Sequence, residues 1–135
     1  MKHSLKDTLE KVKMTLINVR VQDFTFTFDI DTGSTENIVF DYVSNQLPNV
    51  FKPVVGCNKV FGIDGKYQEN QLVEAELSIG DNSFMTQLNV VNADQTVINL
   101  QNDFGFQLHG ILGIPFLEEN DCVIDFKNKL FIIGE

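Results

Sequence analysis

The chain reads as an all-β domain carrying one or two short helices. Apolar and polar residues alternate over several short runs, and clusters of Asp, Asn and Gly separate those runs. Twelve phenylalanines, with many valines and isoleucines, supply the side chains that favour a pleated, half-buried surface.

Taken in order, residues 1–13 form an N-terminal arm and residues 14–135 the domain proper. Leu5, Leu9 and Val12 stand at helical spacing, which fits either a short amphipathic helix or a frayed terminus. Residues 12–21 and 24–30 make a hairpin that turns near Gln22-Asp23. In its second strand Phe24, Phe26, Phe28 and Ile30 share a parity, as one buried face requires. Residues 38–40 restart a strand, and 41–47 make a helical turn that Pro48 stops. Over 72–79, Val73, Ala75, Leu77 and Ile79 alternate with Glu74, Glu76 and Ser78. The chain then turns at Gly80-Asp81-Asn82 and returns through 84–91, so this long hairpin has one wet face. Pro115 suits the first turn of a helix continued by 116–120. Residues 122–126 and 130–133 are the last two strands, joined by Lys127-Asn128-Lys129.

At 135 residues and 15.3 kDa there is room for one sizeable core and not for two. The formal charge of −9 leaves no basic surface for phosphates, which excludes a nucleic-acid partner. It also makes two copies repel weakly, so a dimer must bury apolar area. No run approaches the roughly 18 apolar residues of a membrane span, and residues 1–14 are too charged for the core of a secretion signal. A cytoplasmic protein without membrane partners is expected. Cys57 and Cys122 fit no metal or redox spacing, so both are expected to be unpaired; the alternative, a single structural disulfide, is not indicated.

The alternating run Phe24 to Ile30 leads directly into Asp31-Thr32-Gly33-Ser34-Thr35. A strand thus delivers an acid onto a Gly-bearing turn of small hydroxyl residues, where a carboxylate lies close to backbone amides. Phe28-Asp29-Ile30-Asp31-Thr32-Gly33-Ser34-Thr35 resembles the catalytic signature of aspartic proteases. Gly110-Ile111-Leu112-Gly113 resembles the second signature of that superfamily, and Phe61-Gly62-Ile63-Asp64-Gly65-Lys66 the tip of a flap hairpin. Order and spacing are similar to the retropepsin-like branch, and the likeness runs from about Met14 to Ile133.

This resemblance implies a closed acid-protease barrel with a flap, acting as an aspartic endopeptidase on peptide or protein substrates without metal or organic cofactor. Amide hydrolysis needs a base to activate water and an acid to protonate the leaving group, and two adjacent carboxylates sharing a proton supply both. With one Asp-Thr-Gly per chain, the pair is Asp31 with Asp31 of a second copy, related by a two-fold axis. By the same resemblance Thr32 bonds across the axis, Gly33 lets amides approach the carboxylate, and Ser34 bonds its outer oxygen. Ile111, Leu112 and Gly113 support the loop from below. The flap residues Gly62, Ile63, Asp64 and Gly65 bind the substrate backbone and exclude water.

Two positions depart from the family pattern. Pro115 stands where many cellular relatives carry Asp, which changes how the following helix is capped. Asp29 stands where relatives are more often apolar; on a regular strand it points towards the cleft wall, where it favours basic substrate side chains or raises the pKa of the acid pair. The competing readings are weaker. The phosphate loops of actin-like ATPases and sugar kinases need two large domains, and haloacid-dehalogenase-type phosphatases need a parallel α/β sheet. The strongest rival is a dimerisation or peptide-binding domain of the same fold that does not cut. His109 and Tyr67 are read as structural, and Asp103, Asp121 and Asp125 as turn or strand-end acids.

Overall fold

The structure is a computed structural model, and it describes residues 1–61 and 67–134. Fourteen elements follow in chain order. They are β1 (Lys2–Ser4), α1 (Lys6–Val12), β2 (Leu16–Val21), β3 (Phe24–Ile30), β4 (Ile38–Phe40), α2 (Asp41–Ser44) and β5 (Lys52–Phe61). Then come β6 (Tyr67–Ile79), β7 (Asn82–Val91), α3 (Gln95–Phe104), β8 (Gly110–Leu112), α4 (Ile114–Glu119), β9 (Val123–Asp125) and β10 (Leu130–Ile132).

Six strands close a barrel in the order β2-β3-β8-β4-β7-β6, sealed where Arg20 of β2 meets Ser78 of β6. β5 extends the sheet beyond β6, paired as far as Phe61 opposite Tyr67. Alternation does the sorting: Val19, Phe28, Leu77, Leu88 and Leu112 all point inward with no exposed surface. Each such side chain contributes about 1.5–3 kcal/mol through burial. Phe26, Phe28 and Ile30 are buried as their parity requires, whereas Phe24, beside the turn, remains 43% exposed. That turn places Gln22 at φ 54 and the β6–β7 turn places Gly80 at φ 60.

The N-terminal arm is an integral part of the fold. β1 pairs with β10, and β10 with β9, in a second antiparallel sheet. The Met1 ammonium donates to the Ile133 carbonyl at 2.8 Å, and Leu5 is wholly buried in the main core. Helical spacing in the arm corresponds to α1, whose Leu9 packs on that same core.

α3 is the element that the strand pattern does not anticipate. Asp94 caps it by accepting the Val97 N–H at 3.2 Å, and Gly105 ends it at φ 74. Val97 joins Leu16, Ile38, Phe40 and Leu108 in a smaller second core outside the barrel. Among the described residues no helix is long and apolar enough to cross a membrane, and Cys122 is unpaired.

Candidate active site

β8 lies between β3 and β4, parallel to the first and antiparallel to the second. Phe28, Asp29 and Ile30 stand opposite Gly110, Ile111 and Leu112. The two sequence motifs, about eighty residues apart, are therefore adjacent strands. Gly110 permits that closeness: a Cβ there would come within 2.4 Å of the Ile38 carbonyl and 2.6 Å of the Phe28 ring.

Asp31 stands where the ladder ends. Its N–H donates to the Leu112 carbonyl at 3.0 Å, and its carbonyl accepts the Ser34 N–H at 3.2 Å. Its Oδ1 accepts the Gly33 N–H at 2.8 Å. The Asp-x-Gly turn thus returns a main-chain donor to its own carboxylate, and the carboxyl group stays partly exposed. Thr32 is exposed beside it. The Ser34 hydroxyl donates to the Glu36 carbonyl at 2.6 Å, so in this chain it closes the loop rather than bonding the carboxylate.

Below the loop, Gly113 is clamped. A Cβ on it would stand 2.3 Å from the Glu36 carbonyl and 2.7 Å from that of Ser34. The N–H of Ile114 donates to the Ser34 carbonyl at 2.9 Å, tying the start of α4 to the Asp31 loop.

Asn37 is the organising residue that the motif reading misses. Its side chain is buried, and its Oδ1 accepts the N–H groups of Gly113 at 3.1 Å and Phe116 at 3.3 Å. Its Nδ2 donates to the Gln87 carbonyl at 3.3 Å. One amide therefore joins the Asp31 loop, β7 and the N-terminus of α4. The signal was Pro115: α4 starts at Ile114 behind an N-cap, Gly113, that has no side chain to cap it, so the orphan amides of its first turn need an acceptor from elsewhere.

Asp29 and Asp31 line one recess of about 310 Å³, walled by Leu9, Met14, Ile124 and Phe126. The Thr15 hydroxyl reaches Asp29 Oδ1 at 3.5 Å but lies at 2.7 Å from the Ile30 carbonyl, which takes the better bond. Burial, reinforced by the Asp31 charge, pushes the Asp29 carboxyl up to about 7, against a small opposing effect of Thr15. A larger cavity of about 800 Å³ lies between the arm, β2 and the end of α3, lined by Thr8, Asn18 and Phe106 among others, and none of the motif residues borders it.

His109 is structural. Its Nδ1 accepts the Thr27 N–H at 2.9 Å and its own N–H donates to the Thr27 carbonyl at 2.9 Å, which continues the β3–β8 pairing. Its ring meets Phe26 edge-on at 5.1 Å. Asp125 accepts from Asn128 in the β9–β10 turn, Asp121 sits at φ 49 after α4, and Asp103 belongs to α3. Gly62, Ile63, Asp64 and Gly65 lie outside the described residues, as does the side chain of Tyr67. Among the described residues no group of His, Cys, Asp and Glu is arranged to hold a metal ion.

No family model and no curated protein matches the chain. Solved structures do. The retroviral protease-like domain of Ddi1 from Leishmania major superposes with a TM-score of 0.61 at 13% identity, over 92% of this chain and 87% of that one. The EIAV protease complexed with the inhibitor HBY-793 superposes with a TM-score of 0.59 at 16% identity, over 81% of this chain and 89% of that one. Identity this low speaks for architecture alone, and on that ground, with the closed barrel and β8 laid between β3 and β4, the chain has the retropepsin-like fold.

Proposed function

We propose that the chain is an aspartic endopeptidase that works as a homodimer, with the Asp31 carboxylates of two copies activating a water for attack on a peptide bond. The observation that carries this reading is the clamped loop. Asp31 has one oxygen held by the Gly33 N–H and a backbone tied to Leu112, while its carboxyl group remains accessible. Such a group is positioned while staying open to a second carboxylate and a water, as a shared-proton pair requires.

Each remaining motif residue has a place in this scheme. Thr32, exposed beside Asp31, is free to bond across a two-fold axis. Gly33 and Ser34 shape the loop, and Ile111, Leu112 and Gly113 hold it from beneath. The paired arms of β5 and β6 support a flap in which Gly62, Ile63, Asp64 and Gly65 cover the substrate. Exposed Ile114 and Val123, at 40% and 50%, offer apolar surface with which two acidic copies can associate. The rival reading is a domain of this fold that dimerises or binds peptides without cutting.

Activity measured on dilution tests the two-chain site. Specific activity against a peptide library is expected to fall in step with dimer concentration measured by sedimentation. Activity that stays proportional to protein through the monomer–dimer transition overturns it, and absence of cleavage at every concentration leaves the rival.

A further inference from the structure

Asp29 is a poorly satisfied carboxyl group in a recess of mixed lining, apolar at Leu9, Met14, Ile124 and Phe126 and polar at Lys13 and Thr32. It lies inside β3, where Leu16 and Ile111 flank it on the neighbouring strands, so the nearby main-chain amides are engaged in the ladder. Its hydrogen bond from Thr15 is long at 3.5 Å. Exposed Lys13 also lines the recess, yet among the described residues the ion pair found joins Lys129 to Glu10 and involves neither Lys13 nor Asp29. The ionisable groups facing Asp29 are thus Asp31 and Lys13. Asp31 repels a second negative charge and Lys13 does not neutralise it.

A recess of about 310 Å³ stands at the small end of ligand pockets, which run to roughly 300–1,000 Å³. That suits one extended side chain. Leu9, Met14, Ile124 and Phe126 would flank a methylene stem, and Asp29 would meet a cation at its end.

The geometry points to Asp29 as the specificity-determining residue of the Asp31 site, selecting a lysine or arginine side chain of the bound peptide. The inference rests on the peptide cleft proposed above, but not on cleavage. A cation entering the recess pairs with a carboxylate that has no adequate partner, whereas an apolar side chain of equal length leaves it buried and unpaired. Because burial pushes Asp29 up to about 7, the preference should be strong at pH 8 and fade at pH 6, where the group takes up a proton.

The test uses two fluorescent peptide pools with identical random flanks around a central lysine or a central norleucine. Retention by Asp31→Asn and cleavage by wild type are read separately at pH 8 and pH 6. The lysine pool is expected to be favoured about ten-fold or more at pH 8. The preference should vanish when Asp29→Asn is introduced. Equal treatment of the two pools, a preference that survives Asp29→Asn, or retention of neither pool overturns the inference. Retention of lysine peptides by Asp31→Asn without cleavage by wild type supports it while removing the peptidase reading, so the two fail separately.

Discussion

Asp31 directly follows β3 and its Oδ1 accepts the Gly33 N–H at 2.8 Å, whereas Asp29, two residues earlier and lining the same recess, has among the described residues only the Thr15 hydroxyl at 3.5 Å. The difference is one of backbone supply. At a strand end the turn has amides to spare, and Asp-x-Gly folds one back onto the carboxylate. In mid-strand the ladders consume them, and a side chain must find its partner elsewhere. A carboxylate at the first place is held ready, and at the second it is pushed up to about 7. Two acids two positions apart are thereby left with different hydrogen-bond partners.

Removing the held carboxylate should have the largest effect. Asp31→Asn is expected to lower turnover by at least about 10²–10⁴-fold, because an amide serves as neither base nor shared-proton partner. The melting temperature should hardly move, since the amide nearly matches the carboxylate in shape. Excess Asp31→Asn mixed with wild type should also suppress activity by forming mixed dimers; unimpaired activity in that mixture removes the paired-carboxylate mechanism.

The clamp beneath Asp31 is tested without touching either acid. Gly113→Ala places a Cβ against two backbone carbonyls at 2.3 and 2.7 Å, and should cost about 3 kcal/mol with activity falling in parallel. Asn37→Ala leaves the buried N–H groups of Gly113 and Phe116 without their acceptor, for a loss of about 2 kcal/mol measured by denaturant unfolding. Unchanged stability in either variant shows that the loop is held by other contacts.

Relieving the badly placed acid should have the opposite sign. The Asp29 carboxyl titrates near 3.8 when unfolded and about 7 when folded, so the folded state binds the extra proton between those values and stability falls as pH rises through them. Asp29→Asn is expected to remove that fall and to stabilise the chain at pH 8 by about 1–2 kcal/mol, less than the full shift implies because the group is partly solvated. A variant no more stable than wild type at pH 8 would show that Asp29 is well satisfied after all.

The smallest effect belongs to the far end of the β3–β8 pairing. Burial holds the His109 imidazole below its usual 6.5, so the unfolded chain binds the extra proton and stability is lost as pH falls below that value. His109→Gln should flatten this slope in thermal melts between pH 7 and pH 5 while leaving the pH 8 stability of the Asp29→Asn comparison unchanged.

Short-range chemistry was legible in the residues themselves. Alternation sets the inward faces of β3 and β6, Asp-x-Gly presents Asp31, and Pro115 opens a helix, because each depends on neighbours a few positions away. The signals for α3 were also present, in the Asp94 cap and the Gly105 stop, but its weakly periodic apolar residues find their purpose only against Leu16 and Phe40. What lies further apart required the tertiary structure. The adjacency of Asp29 with Ile111, the burial of Leu5 and the reach of Asn37 to Gly113 and Phe116 join segments about 80 to 130 positions apart or pair partners on separate elements. No local rule determines such contacts, because strand pairing and burial depend on which distant segments the closed barrel brings together. The resemblance of motifs could therefore locate Asp31 and strand parity could set Asp29 on the same side, whereas only the folded chain decided that Asp29 would be half-buried there with no closer partner than the Thr15 hydroxyl at 3.5 Å.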